Sequence, residues 1–164
     1  MDLINKWQSQ AKEKAKENQN FLKRLKKSKQ AGQIDRWVNE ADEEVVSQVD
    51  CLSCANCCKT ISPVVTQTDV KRIAKELRMK PTEVVEAYLL VDHEGDYVMK
   101  SQPCPFLGAD NYCSIYEARP KACREYPHTQ NRGFTKRPSL HYKNTLTCPI
   151  VFNVVEELKQ KMLK

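Results

Sequence analysis

The sequence predicts a mainly α-helical protein: a small, metal-stabilised domain with short strands and loops, and an N-terminal helical hairpin. Glycine is scarce, with four among 164 residues, and charged side chains interleave with apolar ones, as in folded helical chains. Apolar residues recur at helical spacing within residues 1–50, whereas all eight cysteines lie between residues 51 and 148. We therefore expect a helical hairpin over residues 1–50 and a cysteine-cluster metal-binding domain over residues 51–164.

The hairpin is predicted from two helical patterns that Gly32 interrupts. The first runs from about Leu3 to Lys29 and the second from Gln33 to Val49. Residues 1–30 carry nine basic and three acidic side chains, whereas residues 31–50 carry one basic and six acidic ones. This opposition of charge predicts that the two helices pair with each other in antiparallel fashion.

Two further helices are predicted after the first cysteines. Thr68 is a candidate N-cap for a helix from Asp69 to Leu77. Pro81 suits the first position of another helix, which would continue to about Leu90. Residues 93–96 then resemble a turn, and residues 97–99 a short strand.

The remaining elements are short except for the last one. Residues 102–127 predict loops, a short strand and a short helix that begins near Pro120. Residues 128–146 are polar and predict irregular structure. The final helix is expected to start with Thr147 as its cap and Pro149 in its first turn.

The first four cysteines form the pattern C-x-x-C-x-x-C-C, at Cys51, Cys54, Cys57 and Cys58. Two intervening residues allow one turn of backbone to bring both sulfurs to a single metal. Neighbouring cysteines tend to point in different directions, so Cys57 and Cys58 would serve two metals, or one cluster and a second site. The later cysteines join this set only through the fold; they are Cys104, Cys113, Cys123 and Cys148.

The cellular compartment decides between metal ligands and disulfides. The N-terminus lacks the continuous apolar stretch of a secretory signal, and no apolar run is long enough to span a bilayer. We therefore expect a cytoplasmic protein, in which thiols stay reduced. This expectation favours metal ligation over four disulfides or ordinary buried thiols.

Cations near the cysteines could compensate for the charge of several thiolates. The candidates are Lys59, Arg119, Lys121 and Arg124; we expect the two lysines to be solvated, whereas the family resemblance described below implies that the two arginines belong to the site. His128 is a weaker candidate for replacing one cysteine as a ligand, followed by His141, whereas His93 fits a surface turn.

Four segments of the chain carry a resemblance to a known family: CLSCANCCKTISP, PCPFL, CSIYEARPKACREYP and the late Cys148. Over roughly residues 50–150 they resemble the CxxCxxCC cysteine-cluster family, sometimes called YkgJ-like, whose members are zinc- or iron-chelating proteins. The resemblance implies metal binding by all eight cysteines and places Arg119 and Arg124 on the family's R-P-x-x-C-R motif. The module is also similar to part of the longer flagellin lysine N-methylases, but no residues here match a methyl-donor pocket.

Three functions remain open from the sequence. The first is an iron–sulfur or iron protein in electron transfer or a redox or protein-modification step, favoured because the cysteines exceed the needs of one tetrahedral ion. The second is a zinc-stabilised protein-interaction module without catalysis, and the third is a metal chaperone or store. No catalytic motif is recognisable, so the sequence assigns no reaction, and any protein partner is unknown.

The basic segment KRLKK at residues 23–27 raises the question of an anionic partner. Nucleic acid or anionic lipid would suit its charge. Pairing with the acidic second helix explains the same charge without a partner, and we expect that pairing. Nucleic acid is disfavoured further, because aromatic side chains do not interleave with the cations.

Overall fold

The computed structural model describes residues 3–164, and their contacts form two compact units. The first unit comprises residues 3–50 and 127–164, and the second comprises residues 51–126. Both are mainly helical, and the one small sheet among the described residues has two strands, which confirms the predicted fold class. The division at residue 50 stays a prediction, since it concerns independent folding, which contact density does not measure.

The first unit contains five α-helices. They are α1 (Trp7–Glu13), α2 (Ala15–Leu25), α3 (Ala31–Val46), α9 (Pro138–Thr145) and α10 (Pro149–Leu163). The single helix predicted over residues 3–29 is thus two helices, because the chain departs from helical geometry at Lys14 (φ −89°, ψ 7°). The second predicted helix is confirmed, with its bounds shifted by two to three residues.

The core of this unit forms around α10. This helix packs against α3 and α9, and α2 packs against α9. Ile34, Val38, Ala41 and Val45 are buried along α3 at three- and four-residue spacing, which is the spacing that places them on one face. Trp7 packs with Ala11 against Phe152 of α10.

The predicted ion pairing between the basic and acidic helices is wrong for the described residues. The ion pairs of α1–α3 go instead to α10 or to the residues beside it: Lys14 pairs with Glu156 at 2.7 Å, and Lys161 pairs with Glu40 at 2.8 Å. Lys159 pairs with Glu17. The sequence revealed the opposite charges but not that α10 would lie between them.

The expectation of irregular structure over residues 128–146 is also wrong. A 3₁₀ turn (Phe134–Lys136) precedes α9, and the α9 side chains His141, Asn144 and Thr145 are buried. Because these buried residues are polar, the helix shows no hydrophobic periodicity. The predicted cap of α10 is shifted by one residue: Cys148 occupies the cap position and Pro149 the first helical position.

The second unit contains five short helices and the sheet. They are α4 (Cys51–Cys54), α5 (Asn56–Thr60), α6 (Gln67–Leu77), α7 (Pro81–Tyr88), β1 (Leu89–Val91), β2 (Tyr97–Met99) and α8 (Lys121–Glu125). The strands are antiparallel, with Leu90 opposite Val98. The turn at residues 93–96, the strand at residues 97–99 and the helix after Pro120 are confirmed.

Two predicted boundaries in this unit are wrong. The cap of α6 is Thr66, because Thr66 and Asp69 exchange the reciprocal hydrogen bonds of a capping box. Helix α7 ends at Tyr88 rather than near Leu90, because the next three residues pair with β2. The core of this unit lies between α6, α7, the sheet and residues 106–118, and it includes Ile73, Val84 and Ile115.

Candidate metal centre

Four cysteine side chains of the second unit, from separate segments, lie near enough for their charges to interact. Cys58 lies in α5, Cys104 and Cys113 lie in the loops after β2, and Cys123 lies in α8. Their ionised forms act on one another: the pKa of Cys123 is raised by Cys58, Cys104 and Cys113, and that of Cys104 by Cys58 and Cys113. We refer to these four residues as the thiol cluster.

Backbone hydrogen bonds hold the loops of the thiol cluster in place. The N–H group of Cys104 donates to the carbonyl oxygen of Cys58 at 2.8 Å. Cys113 forms an isolated antiparallel bridge with Leu107, and the N–H group of Cys123 donates to Pro120 at 2.9 Å. The 45 residues between Cys58 and Cys104 therefore form a loop whose two ends are joined by a backbone hydrogen bond.

Backbone N–H groups also donate to two of the sulfurs. Cys104 accepts from the N–H groups of Phe106 and Leu107, and Cys113 accepts from the N–H group of Ile115. Each donor lowers the pKa of its thiol because it favours the thiolate. Amides directed at sulfur in this way are the outer-shell interactions that tune a metal bound to thiolates.

Burial opposes ionisation at three of the four thiols. It is the main cause that raises the pKa of Cys104 and Cys113, and it raises the pKa of Cys123 to about 12. Repulsion between neighbouring thiolates adds to the effect at all three. A divalent cation among them would reverse this balance, since a coordinating thiol is deprotonated by the metal.

Cys58 differs from the other three cysteines. Its pKa is lowered to about 7, mainly by a hydrogen bond from the Cys57 thiol and in part by the charge of Lys59. The side chains of Cys57 and Cys58 are therefore in contact, contrary to the expectation that they point apart. This contact places a fifth thiol beside the thiol cluster.

Arg119 is the arginine that the structure brings to the cluster. Its guanidinium lies 3.8 Å from the centroid of the Tyr116 ring and donates to the Tyr116 carbonyl oxygen at 2.6 Å. Its charge lowers the pKa values of Cys113 and Cys123. Arg124 is exposed, and among residues 3–164 no described contact joins it to a cysteine, so its role stays a prediction.

The two lysines are exposed, as expected. Lys59 nevertheless lies close to the cysteines, because its ammonium donates to the carbonyl oxygen of Cys54 at 3.3 Å and lowers the pKa of Cys58. Lys121 forms an ion pair with Glu125 at 3.6 Å. Lys59 therefore contributes charge at the site, and Lys121 has a different partner.

Asp69 and Arg72 of α6 support the loop that leads to Cys123, and the sequence analysis did not identify them. Asp69 is buried and accepts hydrogen bonds from Thr66, from Arg72 at 2.7 Å and from the Lys121 N–H group at 3.1 Å. Arg72 also donates to the Arg119 carbonyl oxygen at 2.7 Å. The T-x-x-D spacing of a capping box was the available signal.

The other cysteines occupy distinct local environments. Cys51 and Cys54 lie in α4, exposed and half-buried respectively. Ala55 joins α4 to α5 with a left-handed conformation (φ 47°), which turns the chain sharply within the motif. Cys148 belongs to the first unit, where it is buried at the start of α10.

Of the three histidines, His93 belongs to the second unit, and His128 and His141 belong to the first. His93 is exposed on the turn, as predicted. His141 is fully buried and stacks on Phe134, with 3.8 Å between the ring centroids. His128 lies in the first unit, with its ring 3.4 Å from the Asn131 side chain. Its proposed role as a replacement ligand stays a prediction.

The chemistry of the thiol cluster fits a metal that prefers sulfur ligands. Four thiols match the number of ligands of a tetrahedral zinc or iron site and of a four-iron cluster. Backbone donors and the charges of Arg119 and Lys59 would offset the negative charge of the thiolates. Among residues 3–164, no three of these sulfurs lie within 4.8 Å of one another, so a bound metal would have to draw them together. The exposed carboxylates of Asp92, Glu94 and Asp96 do lie within that distance, but hydrogen bonds of the turn account for the position of Asp92.

Comparison with protein families gives one match. Residues 50–148, more than half of the chain, match the family model CxxCxxCC, described as "Putative zinc- or iron-chelating domain". Comparisons with curated proteins and with solved structures give no significant match. Over residues 3–164, no helix combines the length and apolar character needed to cross a bilayer.

Proposed function

We propose, because the chain belongs to the CxxCxxCC family of zinc- or iron-chelating domains, that the thiol cluster binds iron as an iron–sulfur cluster. The proposed ligands are Cys58, Cys104, Cys113 and Cys123. Metal binding as such follows from the family; the kind of metal and the ligand set are the proposal. When bound, an iron–sulfur cluster supplies one-electron transfer, so an electron-transfer or redox step is the proposed function.

The contact between Cys57 and Cys58 is the observation that favours a cluster over a single ion. One tetrahedral ion uses four thiolates, and the thiol cluster already supplies four. A fifth thiol in hydrogen-bond contact suits a centre with more than one metal atom, or a second metal beside the first. Cys51 and Cys54 are proposed as ligands of that second site, and a ligand role for Cys148, which belongs to the first unit, stays a prediction.

The residues around the thiol cluster have separate proposed tasks. The N–H groups of Phe106, Leu107 and Ile115 stabilise the thiolates and would set the reduction potential of a bound cluster. Arg119 offsets negative charge at Cys113 and Cys123. A reducing compartment such as the cytoplasm fits this function, because thiolate ligands must escape oxidation.

A zinc-stabilised interaction module is the second candidate. The observation that favours it is the pair of turns in which backbone N–H groups donate to Cys104 and Cys113, since Cys₄ zinc sites use such short turns. In this function the metal holds the loops in place and takes no part in chemistry. Cys57 would then be dispensable.

Anaerobic purification with iron and zinc both supplied distinguishes the two candidates. We expect iron, inorganic sulfide and visible charge-transfer absorption, which Cys57→Ser and Cys58→Ser should each reduce. Ser114→Ala, which lies beside Cys113 without changing a thiol, is the control and should keep the absorption. Colourless protein with one zinc and an expendable Cys57 would refute the iron–sulfur proposal and support the zinc module. Protein without any transition metal would refute both.

A further inference from the structure

The end of α2 carries a dense group of cations for which the described part of the chain shows no ion pair. Lys23, Arg24, Lys26, Lys27 and Lys29 are all exposed, and we refer to them as the basic end of α2. The opposite face of the helix is buried through Phe21, Leu22 and Leu25, so this side of α2 is fixed towards solvent.

Three acidic residues of the first unit form ion pairs with other cations. Glu17 pairs with Lys159, Glu40 with Lys161, and Glu156 with Lys14 and Lys159. None of these described ion pairs involves the basic end of α2. Cations near a helix C-terminus do stabilise the helix, but that effect is confined to its last turn. It does not account for five cations, three of which lie beyond Leu25, the last residue of the helix.

A partly apolar groove of about 430 Å³ adjoins the same cations. Its apolar lining comes from Phe21, Leu25, Met162 and Leu163, and Arg24, Ser28 and Gln160 also line it. Its other lining residues neutralise one another as ion pairs: Lys14, Glu17, Glu156 and Lys159. Leu163 is 80% exposed. Positive charge and exposed aliphatic surface therefore meet at one place in the first unit.

This combination distinguishes a lipid surface from nucleic acid. A nucleic acid offers phosphates to the cations, but it offers no partner to exposed aliphatic side chains, and single strands are bound by stacking on aromatic ones. No aromatic side chain of the described first unit is among its exposed large apolar residues. An anionic bilayer offers headgroups to the cations and acyl chains to Leu163 and Met162.

We propose that the basic end of α2 and the adjoining groove bind the surface of a membrane that contains anionic lipid. The cations contact the headgroups, and Leu163 enters the boundary between headgroups and acyl chains. Binding is peripheral and reversible, and it weakens as salt screens the charges. This inference does not depend on which metal the thiol cluster binds.

Vesicle co-sedimentation of the full metal-bound chain tests the proposal. We expect binding to vesicles of phosphatidylcholine with phosphatidylserine, and little binding to phosphatidylcholine alone. The variant Lys23→Gln/Lys26→Gln/Lys27→Gln should reduce the partition coefficient about a hundredfold. The matched control Lys71→Gln/Lys75→Gln/Lys80→Gln removes the same charge from exposed positions of the second unit and should retain binding within about threefold.

The apolar contact has its own variant. Leu163→Ser should reduce binding to anionic vesicles about tenfold without changing its salt dependence. Circular dichroism and metal content should be unchanged in every variant, because all the altered side chains are exposed.

Three results would overturn the proposal. The first is absence of binding to anionic vesicles at low salt. The second is equal binding by the α2 variant and its matched control. The third is tight binding of a single-stranded or duplex oligonucleotide with no vesicle binding, which would assign the cations to nucleic acid.

Discussion

Arg119 joins three features of the thiol cluster in a single side chain. It stacks on Tyr116, donates to the Tyr116 carbonyl oxygen and lowers the pKa values of two thiols. A guanidinium keeps its charge under all physiological conditions, so this compensation does not depend on pH. Arg124, five residues later in the same motif, has no comparable described contact and provides a natural control.

We predict that Arg119→Gln weakens metal binding about five- to tenfold, or roughly 1 kcal/mol, because two half-buried thiolates lose a nearby cation. Arg119→Lys should recover part of the loss, since it restores charge but not the stacked, planar geometry. Competition with a chromophoric chelator at fixed pH measures the change. An equal or larger effect of Arg124→Gln would contradict the assignment of Arg119.

His141 is a buried base in the core of the first unit. Its pKa is lowered to about 4, first by burial and then by the charges of Arg137 and His128; the Phe134 backbone and Asp35 act in the opposite direction. The unfolded chain binds a proton below about pH 6.5, which the folded chain excludes down to about pH 4. Stability therefore falls as the pH decreases through this window and is unaffected by His141 above it.

We predict that acidification from pH 7.5 to pH 5 costs the native protein about 2 kcal/mol more than it costs His141→Phe. The phenyl ring keeps the stacking on Phe134 but does not titrate. Urea unfolding of both proteins at the two pH values measures this difference in unfolding free energy. Both proteins contain the same metal site, so the effect of proton release at that site cancels in the comparison. His93→Gln alters an exposed histidine and should behave like the native protein. Parallel pH profiles for native and His141→Phe would contradict the prediction.

At the scale of elements, Asp69 links α6 to the segment that carries Arg119 and Cys123. Burial alone would raise its pKa, but hydrogen bonds from Thr66, Arg72 and the Lys121 backbone keep that pKa below its usual value. One carboxylate thus caps α6 and also fixes the start of α8. The same group therefore contributes to helix stability and to the position of a thiol.

We predict that Asp69→Asn lowers the free energy of unfolding by about 1–3 kcal/mol, because an amide cannot accept all of these bonds and leaves buried donors unpaired. Metal affinity should fall as well, since Lys121 and Arg119 lose their anchor. Chemical denaturation and chelator competition measure the two effects. The control Asp96→Asn, on the exposed turn, should change neither quantity. If Asp69→Asn lowered stability but left metal affinity unaltered, α8 would be positioned by other contacts.

Elements with a local signal could be predicted from the sequence, and the others could not. The start of α7 is set by Pro81, and α3 is set by its own apolar stripe. The turn at residues 93–96 likewise depends only on residues close to it in the sequence. By contrast, the end of α7 depends on pairing of β1 with a strand ten residues away, and α9 buries His141 and Asn144, which carry no hydrophobic pattern. The partners of the charges in α1–α3 depend on α10, more than one hundred residues later.

At the scale of the whole molecule, the cysteine positions indicated a metal site but not its ligand set. The C-x-x-C-x-x-C-C spacing suggested that its members act together. In the second unit, however, Cys58 converges with Cys104, Cys113 and Cys123. That grouping depends on the Cys104–Cys58 backbone bond and on the position of α8, which are products of folding. The sequence also did not show which arginine of the motif acts on the thiols. The contacts of Arg119 with Tyr116 place its charge there.

The distribution of buried side chains in the second unit predicts which parts need the metal. Helices α4, α5 and α8 contain no buried residue, although α5 and α8 carry Cys58 and Cys123. Helices α6 and α7 and the sheet share the apolar core with residues 106–118. Short helices without burial are unstable in water, so we expect α5 and α8 to need metal ligation in addition to the backbone hydrogen bonds of Cys58 and Lys121.

Removal of the metal should therefore unfold the second unit selectively. We predict that chelation abolishes amide-exchange protection in α4, α5 and α8, reduces it modestly in α6 and α7, and leaves α3 and α10 of the first unit protected. Hydrogen-exchange mass spectrometry of the metal-bound and chelated protein measures this. Cys113→Ser, which removes a thiol from a loop between the helices, should reproduce the pattern, whereas Ser114→Ala should resemble the metal-bound protein. Undiminished protection of α5 and α8 after chelation would show that the thiol cluster is held by the fold alone. If α6 and α7 lost as much protection as α5, the apolar core would itself depend on the metal.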